Sequence, residues 1–240
     1  MSYELIENKA IGEKYYKFTV DGLRVYVAPK KLSSTIYAVL GVDFGSADTM
    51  CIYNGVETEL PSGIAHFLEH KMFENEDGSD AFEQFSLNGA NANAYTAASK
   101  TCYMFSCTDN FESNLKLLLN VVTVPHFTKQ SVEKEKSIIN QEIRMYKDDP
   151  YWKMHFSLLE ALYYKDTIKA DPAGTESSVA VVTPKLLYDT HRMFYTAENM
   201  VLCVCGDIAP DEVEDIVRKY LKPLQKGDVK RVGCNEPKDI

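Results

Sequence analysis

Residues 14–20 and 23–28 are rich in β-branched and aromatic side chains and are separated by Asp21-Gly22. An Asp-Gly pair between two such runs predicts a β-hairpin, since it readily takes the left-handed backbone of a tight turn. A third strand is expected over 33–44, where 37–42 is apolar enough to lie inside a sheet. The polar stretch 49–60 reads as a loop. Strands are expected again over 91–98 and 101–108, and late in the chain over 200–205, stopped by Gly206-Asp207. Helical spacing appears in an apolar segment over 61–73 and a short one over 80–87 closed by Asn88-Gly89, then over 111–122, 131–145 and 152–164. Thr183-Pro184 has the cap and first-turn pattern of a helix reaching Phe194, and 211–221 predicts a closing helix.

Strands come first, helices follow, and one strand returns late. That order predicts an α+β domain, a mainly antiparallel sheet of about five to six strands covered by helices. No composition shift divides residues 1–222, so one domain is expected there. Residues 223–240, rich in Lys, Gly and Asp, read as a linker-like tail.

With 240 residues, 45% hydrophobic and 25% charged, the chain falls in the globular range. A net charge of −9 argues against nucleic-acid binding, which needs a basic surface. No apolar run approaches the roughly 20 residues that span a bilayer, so no membrane partner is expected. The opening residues carry no apolar leader, so a cytoplasmic location with reduced thiols is the expectation.

The chemistry concentrates in the 61–73 helix, at His66-Phe67-Leu68-Glu69-His70. Histidines four apart stand on one helix face a turn apart, so both imidazoles can reach one ion. Glu69 lies within about a third of a turn of each, close enough to act on water beside that ion. This is H-x-x-E-H, the inverted zinc-hydrolase helix. A polar surface face is the plainer explanation, but Ile64, Ala65, Phe67, Leu68 and Met72 leave little of this helix for solvent, and buried His and Glu need partners.

A hydrolytic zinc takes three protein ligands and keeps a fourth position open. Glu142 is the best candidate for the third. Glu135, seven residues earlier, lies within about 20° of the same helical line, and Ile138, Ile139 and Ile143 adjoin that line. A solvated charged helix fits the same periodicity, and His126, His155 and His191 are rival ligands.

His66-x-x-Glu69-His70 followed by Glu135-x6-Glu142 resembles the pitrilysin/insulysin family of inverted-zincin peptidases, which includes the mitochondrial processing peptidase. Asn93-Ala94-Tyr95-Thr96, Ala173-Gly174-Thr175-Glu176 and the 199–207 stretch extend the resemblance along most of the chain. It implies a zinc endopeptidase half-domain with His66, His70 and Glu142 as ligands and Glu135 supporting the site from behind. Glu69 would be the base. Asn93, Ala94 and Tyr95 would form an edge strand on which the peptide substrate adds as a further strand. The family's enzymes have at least two homologous halves, so the resemblance also implies a second half-domain, in the same chain or on a partner. A non-catalytic scaffold half is the alternative it leaves open.

Overall fold

The computed structural model describes residues 3–224, 228–234 and 236–237. Its strands are β1 (Glu4–Asn8), β2 (Glu13–Val20), β3 (Leu23–Pro29), β4 (Ile36–Val42), β5 (Met50–Tyr53), β6 (Val56–Glu59), β7 (Ala90–Thr96), β8 (Thr101–Cys107), β9 (Met200–Gly206) and β10 (Val229–Arg231). The helices are α1 (Ile64–Lys71), α2 (Ala81–Leu87), α3 (Phe111–Thr123), α4 (Lys129–Asp148), α5 (Pro150–Leu162), α6 (Glu176–Ala180), α7 (Pro184–Phe194) and α8 (Pro210–Tyr220).

The α+β class is as the sequence predicts, while the main sheet is larger than expected. It has seven strands in the order β1-β2-β3-β9-β4-β8-β7 rather than five to six. The additional strand is β1, a short segment with four of its five residues exposed and hence no apolar pattern to read. Among the described residues every strand pair is antiparallel except β3 with β9, which run parallel and make the sheet mixed. The expected loop over 49–60 is also corrected. It forms the β5-β6 hairpin, turning on Asn54 and Gly55 with φ of 50° and 80°. β10 joins that hairpin to make a second, three-stranded sheet, so this part of the stretch read as a tail is an element.

Period-two alternation decides which face of the main sheet is covered. Val25, Val27, Ala38, Leu40, Leu202, Val204, Tyr103 and Phe105 are buried on one face. Helix α8 packs on β2 and β3, α3 on β4 and β8, and α1 and α2 on β7. β4 lies between β9 and β8, as its apolar run predicts, and β7 forms the sheet's edge. The functional groups gather beside this edge.

Candidate metal centre

Helix α1 starts abruptly. Gly63 takes φ 87° as its N-cap, and a Cβ there would lie 2.4 Å from the Ala173 carbonyl oxygen. Gly174, with φ 77°, presses equally closely on Ser62, where a Cβ would meet the carbonyl oxygen at 2.5 Å. Only glycine combines that backbone with such close approach. The two glycines thus lock the start of α1 against the 171–174 loop.

From this start α1 buries Ile64, Ala65, Phe67 and Leu68 and turns His66, Glu69 and His70 into a cleft against α4. Helix α4 starts with a reciprocal capping box between Thr128 and Ser131 and buries Val132, Ile139 and Ile143. Glu135 and Glu142 fall on the same stripe, at side-chain exposures of 15% and 21%. Burying carboxylates among isoleucines is costly unless they gain partners, and here the partners are on α1.

The Glu142 Oε2 atom lies 3.8 Å from His66 Nε2 and 3.5 Å from His70 Nε2. One donor atom from each of the three residues falls within 4.8 Å of the others. Tetrahedral ligands at about 2.1 Å from zinc stand about 3.4 Å apart, so the donor set has the spacing and chemistry of a zinc site. His70 Nδ1 and Glu135 Oε1 are 2.9 Å apart, an arrangement that fixes the ring with Nε2 directed at the cluster. Among the described residues the rival histidines lie outside this group. His191 Nε2 instead meets the Val122 carbonyl at 2.9 Å.

The charges are set by surroundings. Burial, helped by the neighbouring His70, pushes His66 down to about 3 and so keeps the ring neutral. Burial also lowers His70, but the hydrogen bond and charge of Glu135 outweigh it and the net shift is upward. Glu69 is raised, chiefly by burial, while a hydrogen bond from Thr96 counters the rise. Thr96 Oγ1 donates to Glu69 Oε2 at 2.6 Å, tying α1 to the edge strand.

A cleft of about 250 Å³ opens over these groups, walled by Ala94, Tyr95 and Thr96 on one side and by Tyr146, Trp152 and Asp171 on the other. Trp152 stacks on Tyr146 at 4.4 Å and donates its indole N–H to Asp171 Oδ2 at 2.6 Å. Thr96, Tyr146, Trp152 and Asp171 are absent from the site read from sequence. Thr96 could have been found two residues from Ala94 on the same strand face, and Tyr146 one helical turn beyond Glu142. Asp171 has no local signal. Asn93 and Tyr95 are exposed on β7, with Tyr95 and Ala94 in the cleft wall and Asn93 outside it.

Two histidines and a carboxylate thus converge as a set that could hold a metal ion, and sequence comparison gives the lineage. The family model for Insulinase (Peptidase family M16) matches residues 31–176, and that for the Peptidase M16 inactive domain matches 182–240. This chain belongs to peptidase family M16. The uncharacterized zinc protease YmfH of Bacillus subtilis is 44% identical over 207 residues, which cover 85% of this chain and 48% of YmfH. An M16-like peptidase structure from Alicyclobacillus acidocaldarius superposes with a TM-score of 0.89 at 34% identity, covering 99% of this chain and 54% of that one. Pitrilysin shares the fold with a TM-score of 0.75 at 18% identity, over 92% of this chain and 24% of its own. The chain spans about half the length of the curated relatives it matches.

Proposed function

We propose that this chain is the metal-bearing half of a zinc endopeptidase, with His66, His70 and Glu142 as ligands, Glu69 as general base and β7 as the peptide-binding edge. The convergence of the three donor atoms beside a half-buried, hydrogen-bonded glutamate carries this reading. His66, His70 and Glu142 would hold the zinc, which when bound would supply Lewis acidity toward water and a peptide carbonyl.

The chain's own groups do the rest. Glu69 takes a proton from the attacking water and returns it to the leaving amine, and burial raises its pKa toward the range where a base is effective. Thr96 holds the carboxylate in place. Glu135 keeps His70 oriented, a role whose loss typically costs 10–100-fold in metal affinity. A substrate laid along Asn93, Ala94 and Tyr95 gains main-chain hydrogen bonds from the groups that this strand turns to the sheet's edge. Relatives about twice as long support a second homologous half that completes the active enzyme.

The test is Glu69→Gln in the full-length polypeptide. We expect one zinc per chain to remain while kcat/KM on a fluorogenic peptide falls by at least about 10²-fold. Unchanged turnover would remove Glu69 as the base. A second reading, a non-catalytic assembly half, is favoured by the inactive-domain match over 182–240. The cluster lies wholly within 31–176, which argues for the enzyme. Failure to retain stoichiometric zinc would reverse that choice.

A further inference from the structure

The edge of β7 is not bare where it passes the metal cluster. The Ala94 N–H donates to Oδ1 of Asn93, the exposed residue before it, at 2.8 Å. In an antiparallel strand each residue's N–H and C=O point to the same side, and successive residues alternate sides. Ala97 N–H bonds Lys100 at the β8 end of the hairpin, so 93, 95 and 97 face β8 while 92, 94 and 96 face the free edge. Ala94 therefore offers an outward donor in the cleft wall, and the Asn93 amide oxygen sits where an incoming peptide carbonyl would.

We propose that Asn93 is a latch on the substrate edge: its side-chain oxygen caps the Ala94 N–H in the peptide-free chain and must swing away before an extended peptide pairs there. This deepens the reading of β7 as the peptide edge and rests on it. The latch answers a conflict inherent in such a site. An edge kept open for one strand is open to any strand, including the edge of a second copy. A local acceptor shields the donor without the permanent block of a proline or bulge. Its removal exchanges one acceptor for another, so an extended segment that also makes the neighbouring main-chain bonds displaces it, whereas an isolated carbonyl does not.

The experiment uses the 240-residue chain with Glu69→Gln throughout, so that peptide is bound without being cut, and compares Asn93, Asn93→Ala and Asn93→Asp. Asn93 is exposed, and surface substitutions of this kind usually leave stability within about 0.5 kcal/mol. Amide exchange by NMR should show Ala94 exchanging several-fold faster in Asn93→Ala and near the parent rate in Asn93→Asp, which keeps the acceptor. An acetylated decapeptide of alternating Thr and Val should bind Asn93→Ala about three- to tenfold more tightly, the factor a net exposed hydrogen bond confers. Its counterpart N-methylated at alternate residues should bind none of the three. Unchanged Ala94 exchange in Asn93→Ala would overturn the latch alone, and so would weaker peptide binding by that variant, which would make Asn93 a contact rather than a guard. If the decapeptide protects no β7 amide in any variant, the edge reading fails and the latch with it.

Discussion

Buried histidines in this chain are kept neutral in two ways that acid separates. His66 is held neutral within the donor cluster of α1 and α4, whereas His191, 6% exposed on α7, stacks on Tyr195 and meets the Val122 carbonyl. Burial pushes His191 down to about 4 against the small opposing effect of that carbonyl. Between its ordinary value near 6.5 and about 4, the unfolded chain binds a proton that the folded chain refuses. Stability from this group is therefore complete above pH 6.5 and is lost progressively as pH falls through that window, to a limit of about 3 kcal/mol. His191→Gln, which retains a donor for Val122 and does not titrate, should reduce the acid slope of stability by about one proton. Urea unfolding at pH 7, 5.5 and 4.5 measures it, and an unaltered slope would show that the folded chain accepts the proton freely. At this scale the α1 histidines were legible because their meaning is local: four residues on one helix fix their relation. The rival histidines were not, since a lone ring's role depends on a carbonyl from a distant helix.

Among elements, the decisive join is the glycine pair that seats α1 against the 171–174 loop. That loop also presents Asp171 to Trp152, so one joint sets both the start of the histidine helix and the far wall of the cleft. Gly63→Ala must pay for a left-handed backbone and push a side chain into the Ala173 carbonyl. Gly78→Ala meets only the first cost, because at φ 78° nothing lies within 4 Å of its added Cβ. We expect Gly78→Ala to lose about 1 kcal/mol and Gly63→Ala at least about 2–3 kcal/mol, with weakened zinc binding in Gly63→Ala only. Equal urea midpoints for the two variants would mean that the joint yields easily. The sequence placed α1 within 61–73, and Pro61-Ser62-Gly63 just ahead of its first turn is helix-opening chemistry. It could not show what the glycine faces, because Ala173 is over a hundred residues away. The β5-β6 hairpin is a different case: Asn54-Gly55 is as strong a turn signal as Asp21-Gly22, and only the polar residues around it disguised the strands. Helix α4 was legible in part, its carboxylates sharing a line with Ile139 and Ile143, but only α1 opposite decides whether that line is wet or dry.

Across the whole molecule, the core of the sheet and the donor cluster share helices α1 and α4 but use different faces of them. The core of Leu40, Leu202, Val25 and Tyr103, covered by α3 and α8, contains none of His66, His70 and Glu142. The parallel pairing of β3 with β9 joins residues about 175 positions apart, and no local pattern encodes it. This sheet is large enough to fold without metal, unlike small domains whose zinc supplies the folding energy. The metal-free chain should therefore melt in one cooperative transition. Zinc should then raise that transition through linkage, by about 2.7 kcal/mol at a hundredfold excess over Kd. For a domain of this size that corresponds to about 5–10 °C. His66→Ala should abolish the shift while leaving the metal-free Tm nearly unchanged, because the ring it removes borders the cleft rather than the core. Calorimetry with chelator and with added zinc distinguishes the outcomes. A shift that survives His66→Ala would place the stabilising zinc elsewhere, and a metal-free chain without a cooperative melt would show that the metal is part of what holds the fold together.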